Sequence, residues 1–200
     1  MSRRIYKRVI ESNKIFVRCM CHIFIMTLLI PVIAFCGSDR LVDDSDYKEN
    51  KLQKCNIKDY TDMVKGDGVD WVWVKPGEKL GAYKTRVGTV LNKSDMHSSS
   101  MVSKVKSIFQ DNFSGATKGT KGTLTAEVCI WEVQKYTPEK QWIPYAGGRA
   151  AQAGMGVEVV LVDRAKKTVA KIRHFDHQGR DWRDAAEDVA SHISNYVAKH

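Results

Sequence analysis

For residues 69–200 the sequence predicts an α+β fold: one mixed or antiparallel sheet of about five strands, in the order ββαβββα, packed by two helices. Three observations carry this. Apolar residues alternate with period two in DWVWV and TLTAEVCIWEV, the pattern of strands with one buried face. Two other stretches space their apolar residues by three and four, as helices lying on a sheet do. Near the C-terminus two strand-like runs are separated only by a short polar turn, which favours hairpins over regular strand-helix-strand crossovers.

The domain opens at Trp71–Val74, where Val72 and Val74 alternate with Trp71 and Trp73 until Pro76-Gly77 breaks the strand with turn chemistry. A β-rich run resumes over residues 85–91. Ser98, Ser99 and Ser100 offer N-caps to a helix whose Val102, Val105, Ile108, Phe109 and Phe113 share one face, and Ser114-Gly115 stops it. The following GATKGTKG reads as a flexible basic loop. Residues 123–136 form a long strand with Leu124, Ala126, Val128, Ile130 and Glu132 on one side. The glycine-rich WIPYAGGRAAQAGMG interrupts the pattern, and residues 157–162 and 168–175 form a hairpin around a turn at 163–167. The closing helix starts near Asp181 and aligns Trp182, Ala186, Val189, Ile193 and Val197.

Charge is distributed unevenly. The chain carries 32 Lys and Arg against 23 Asp and Glu, a net +9. Residues 1–36 hold six of those bases (Arg3, Arg4, Lys7, Arg8, Lys14, Arg18) and one acid, Glu11, so the remainder is only +4. A clustered basic face for nucleic acid is therefore absent from the pattern, and no nucleic-acid partner is expected. Residues 37–68 are dense in charge, with an acidic knot at Asp43, Asp44 and Asp46. Such a stretch buries too little apolar surface to offset its ordering, and reads as a tether with a turn of helix near residues 60–64.

Behind the basic N-terminus comes CMCHIFIMTLLIPVIAF, residues 19–35, followed by Cys36-Gly37-Ser38. Cations, an apolar run and small residues in that order form an export leader. As a helix the run would measure roughly 25 Å, short of the roughly 30 Å of a hydrocarbon core. Ile33-Ala34-Phe35-Cys36 resembles a bacterial lipobox, with Phe35 where Gly, Ala or Ser is usual. The resemblance implies acylation of Cys36 by diacylglycerol, with palmitate-type chains. Three outcomes stay open: a lipoprotein acylated on Cys36, an uncleaved signal anchor in the inner membrane, and plain cleavage near Gly37 or Ser38. All three export the body. Gly37 after the cysteine resembles cargo of the outer membrane facing the periplasm, with inner-membrane anchoring as the alternative.

Cys19 and Cys21 sit within the apolar run as small hydrophobes. That leaves Cys55 and Cys129 in the body, which could close one disulfide in an oxidising compartment.

The segments VWVKPGEKLGAYKT, GTLTAEVCIWEV and GVEVVLVDRAKKTVAKIRHFDHQG, with the terminal amphipathic helix, resemble a family of uncharacterised bacterial envelope proteins, predicted lipoproteins with a C-terminal domain of unknown function. The resemblance covers residues 70–199. It implies export and a periplasm-facing α+β domain, and carries over no catalytic residue.

Other motifs fail on context. Gly115-x-x-x-Gly119-x-Lys121 has Thr120 where a phosphate loop needs glycine, and runs from helix to strand. Gly154-x-Gly156 precedes a strand, whereas a dinucleotide fingerprint opens a helix; a loop or bulge is expected. Ser103-x-x-Lys106 lacks the companion motifs of penicillin-recognising enzymes. His174 and Asp176 could point together from a strand, but a metal needs a third ligand and none is adjacent; His97, His192 and His200 are scattered. His174 and Asp176 therefore read as strand-end polar residues.

The expectation is an exported envelope lipoprotein with a non-catalytic binding or structural domain, using no cofactor and no metal. Its partners would be the membrane, through the lipidated or hydrophobic N-terminus, and another envelope protein or a cell-wall polymer. Trp71, Trp73, Trp142 and Arg149 are the candidate partner surface. The alternatives are a signal-anchored inner-membrane protein and a secreted hydrolase with a dispersed site, whose mark would be convergence of residues among Asp163, His174, Asp176 and His177.

Overall fold

Strand alternation and one crossover helix set the architecture. The computed structural model describes residues 55–142 and 151–200, apart from the side chains of residues 141 and 142. The leader, Cys36, the first part of the charged stretch and Arg149 lie outside the described residues. The elements are β1 (Val64–Lys65), β2 (Trp71–Val74), β3 (Lys84–Asn92), α1 (Met101–Ala116), β4 (Thr123–Gln134), β5 (Gly154–Val162), β6 (Thr168–His177) and α2 (Trp182–Lys199). They build an α+β fold with one mixed six-stranded sheet in the order β1-β2-β6-β5-β4-β3. Every pairing is antiparallel except β3 with β4. Parallel neighbours cannot be joined by a tight turn, and α1 supplies the crossover between them.

One face of the sheet is covered by the helices. Leu124, Ala126, Val128 and Ile130 of β4, Met155, Val157, Val159 and Leu161 of β5, and Ala170 and Ile172 of β6 meet Val105, Phe109 and Phe113 of α1 and Ala186, Val189, Ile193 and Val197 of α2. The expected helical stripes are the buried ones, except that Val102 and Trp182 are only partly covered. Asp181 caps α2 by accepting from the Arg183 amide at 3.1 Å. Ser100 holds the N-cap position of α1 without a side-chain cap bond; instead Met101 N–H donates to Ser98 O.

The opposite face carries a register row, Leu91, Cys129, Glu158, Arg173 and Trp71, each beside the next on adjoining strands. Glu158 and Arg173 are 0% and 2% exposed and form an ion pair. The guanidinium lies 3.8 Å over the Trp131 ring and 5.8 Å from Tyr60. Tyr60 Oη donates to Glu158 Oε1 at 2.5 Å and the Ile57 amide to Oε2 at 3.1 Å. Ile57, Tyr60 and Met63 join Val160 and Val162 in a second small core, with Trp71 and Trp73 at its edge.

Several expectations are corrected here. Residues 55–68 are not a solvated tether: they cover the second face of the sheet and add β1, because Glu158 and its apolar neighbours need a lid. Glu132 leaves the side of Leu124 and Ile130. A bulge after Ile130 inserts an extra residue, so Glu132 pairs with Gly156 and Val133 turns to the main core. Gly154 and Gly156 lie in β5 rather than in a loop, and Gly156 sits opposite the bulge of β4, the other form expected of this stretch. A Cβ at Gly156 would run into the Trp131 indole, and one at Gly154 would sit 2.7 Å from Phe175 Cζ, so the strand tolerates these rings only by lacking side chains. GATKGTKG is pinned: Lys121 N–H donates to Ala82 O at 2.9 Å, Lys121 Nζ contacts Glu78 at 2.9 Å, and Gly119 lies against the Ala82 backbone.

Removing one partner of a buried pair leaves a charge without compensation. Arg173→Met is expected to lower unfolding stability by about 3–5 kcal/mol in denaturant titrations. The double variant Glu158→Gln, Arg173→Met should recover part of that loss.

Candidate functional site

Cys55 and Cys129 are joined by a disulfide, with Cα atoms 5.7 Å apart. The bond ties the segment that covers the sheet to β4, one strand away from Glu158. Trp71 and Trp73 share a face, as strand spacing requires, and are half-buried beside the small second core. Lys65 lies 5.7 Å from the Trp71 ring centre and Lys171 5.2 Å from that of Trp73. A sugar stacking there would have to displace those lysines. The side chain of Trp142 and the whole of Arg149 lie outside the described residues, so the expected four-residue surface is not assembled among the described ones.

The hydrolase candidates divide. Asp163 sits in the β5–β6 turn and accepts from the Ala165 and Lys167 amides at 2.8 and 2.9 Å, a turn-forming role. His177 alternates away from His174 and stacks edge-on against Phe175. His174 and Asp176, two apart on β6, both face the helices, and both are buried.

There α2 adds the residue that the sequence leaves scattered. His192 Nδ1 lies 3.0 Å from His174 Nε2 and 3.3 Å from Asp176 Oδ2. The three donor atoms all fall within 4.8 Å of one another, an arrangement able to share a proton or a cation. On the far side of His174, Asp70 Oδ2 lies 3.2 Å from Nδ1 and accepts from the Phe175 amide at 2.8 Å. Burial pushes the Asp70 carboxyl up, but the hydrogen bond and charge of His174, with the Phe175 amide, outweigh it and hold the group below its ordinary value. Asp188 stands one helical turn before His192 on α2. Burial drives its carboxyl above the usual range; the charge of His192 opposes this, and the hydrogen bond and negative charge of Asp176 add to the rise.

Asp188 also lines a groove of about 630 Å³ between α1 and α2. Asp111, Asp184 and Glu187 line it too, with Lys104 as the basic residue. Asp188 thus stands between the buried cluster and an acidic surface. Sequence offered two weak hints, His174-x-Asp176 at strand spacing and Asp188-x-x-x-His192 at helical spacing. Nothing local says that the two pairs meet.

Among the described residues, no helix is long and apolar enough to cross a membrane. No protein-family profile matches the chain, and no curated protein sequence does. Solved structures similar to it include two of PelC from Paraburkholderia phytofirmans. A dodecamer of a PelC point variant is 12% identical, covers 63% of this chain and 95% of that one, and superposes with a TM-score of 0.42. A PelC dodecamer in another crystal form is 13% identical, with coverage of 64% and 92% and a TM-score of 0.38. At that TM-score the likeness carries no argument about function.

The disulfide spans a sequence separation of 74, for which the chain-entropy account gives about 4 kcal/mol. Cys55→Ser is expected to lose stability of that order in urea titration. It should also free residues near 55 for amide exchange while β5 stays protected.

Proposed function

We propose that the chain is an exported protein of the bacterial cell envelope, held at the membrane through acyl chains on Cys36 or through its apolar leader. Its folded domain binds a periplasmic partner rather than transforming a substrate. The observation that carries this reading is the Cys55–Cys129 disulfide, since such bonds persist in oxidising compartments and are rare in reducing ones. The basic and apolar leader, the lipobox-like Cys36 and the resemblance to uncharacterised envelope proteins point the same way. One acyl chain anchors only marginally, so stable retention at a membrane calls for more than one on Cys36. The groove between α1 and α2 offers the partner surface, with carboxylates suited to the hydroxyl or basic groups of a cell-wall polymer or another envelope protein.

Cys36→Ala is expected to move the protein out of the membrane fraction and abolish labelling by a fatty-acid probe. Unchanged fractionation without label in the parent protein would defeat the lipoprotein reading. The mass of the mature N-terminus from native membranes separates acylation, plain cleavage and a retained anchor.

A secreted hydrolase is the second reading, favoured by one observation: His174, Asp176 and His192 converge beside a groove. The binding reading expects no turnover of ester, peptide or glycoside substrates above that of Asp176→Asn. Turnover that this substitution removes would reverse the order of the two.

A further inference from the structure

We propose that His174 Nε2, His192 Nδ1 and Asp176 Oδ2 bind a divalent transition cation of the zinc class, with Asp70 holding His174 in the ligating tautomer. Around a tetrahedral zinc with bonds of about 2.0–2.1 Å, neighbouring ligand atoms lie about 3.3–3.4 Å apart. Here His192 Nδ1 is 3.0 Å from His174 Nε2 and 3.3 Å from Asp176 Oδ2. The third separation, between His174 Nε2 and Asp176 Oδ2, falls within 4.8 Å, so an ion seated against His192 would draw those two atoms together by at most about 1.4 Å to reach tetrahedral spacing.

The donor set selects the class. Two imidazole nitrogens and one carboxylate suit zinc and its transition-metal neighbours, whereas calcium and magnesium seek oxygen shells. The surroundings match what such sites need in a further layer. A ligating histidine normally gives its other N–H to a carboxylate or carbonyl, which fixes the tautomer. Asp70 accepts from His174 Nδ1 in that way and is itself held by the Phe175 amide, so Nε2 presents a bare lone pair. His174 and Asp176 are fixed within the sheet, and His192 is carried by a helix whose Val189 and Ile193 belong to the main core. Asp188, in hydrogen-bond contact with Asp176 and lining the groove, is the neighbouring oxygen group for a fourth position. The acidic groove gives a cation a favourable approach.

The inference is independent of the envelope address, since metal affinity and membrane fractionation are separate measurements. The test uses full-length protein purified in detergent, stripped with chelator and titrated with Zn²⁺ by calorimetry. One ion per chain is expected, and Co²⁺ in its place should give the visible absorption of a four-coordinate site. His192 is 38% exposed, so His192→Ala should fold, as far-UV circular dichroism would check, and should lose the site. Asp70→Asn should bind about 10–100-fold more weakly. His97→Ala with His200→Ala should leave affinity unchanged. Failure of the parent protein to bind Zn²⁺, or full binding by His192→Ala, would overturn the site. Mg²⁺ or Ca²⁺ binding as tightly as Zn²⁺ would overturn the assigned class. Unaltered affinity in Asp70→Asn would overturn the role given to Asp70.

Discussion

Glu158 is buried on β5, the strand with every position covered. A carboxylate withdrawn from water must find an opposite charge and hydrogen-bond donors, or it destabilises the fold by several kcal/mol. Arg173, directly across the ladder, supplies the charge, and Tyr60 and the Ile57 amide supply donors from outside the sheet. The compensation therefore recruits residues 55–63. It decides that a charge-rich stretch becomes a lid over the second face. Trp131 completes the enclosure by lying against the guanidinium, and Gly156 has no side chain because that ring occupies the space.

The disulfide acts on the same part of the molecule. Cys129 neighbours Glu158 in the register row, so the cross-link and the ion pair fasten the lid at adjoining points. The cross-link holds the start of the lid where thiols are oxidised, in addition to the hydrogen bonds from Ile57 and Tyr60 to Glu158.

The other face uses the same alternation for a different end. Along β6, Ala170 and Ile172 enter the main core, and continuing the pattern brings His174 and Asp176 to the same side beneath α2. Apolar packing by Val189 and Ile193 sets the helix at a height where His192 reaches them. The polar cluster is thus positioned by hydrophobic contacts that serve the core in any case, and Asp70, at the entry to β2, closes it from the neighbouring strand.

Local periodicity was enough for the strands of Trp71–Val74 and Thr123–Gln134, the 157–162 and 168–175 runs and both helices, because spacing of two or of three to four residues reflects which face is buried. Cysteine usage, taken separately, left Cys55 and Cys129 as an available pair. Periodicity missed β1 and the lid, since the reason for ordering Ile57 and Tyr60 lies about a hundred residues away at Glu158. It misplaced Glu132, because a single inserted residue reverses alternation without a trace in composition. The parallel pairing of β3 with β4 and the meeting of His174, Asp176 and His192 also arise only when the sheet and helices pack. Periodicity reports burial along a segment, whereas charge compensation and ligand convergence are properties of points brought together in space.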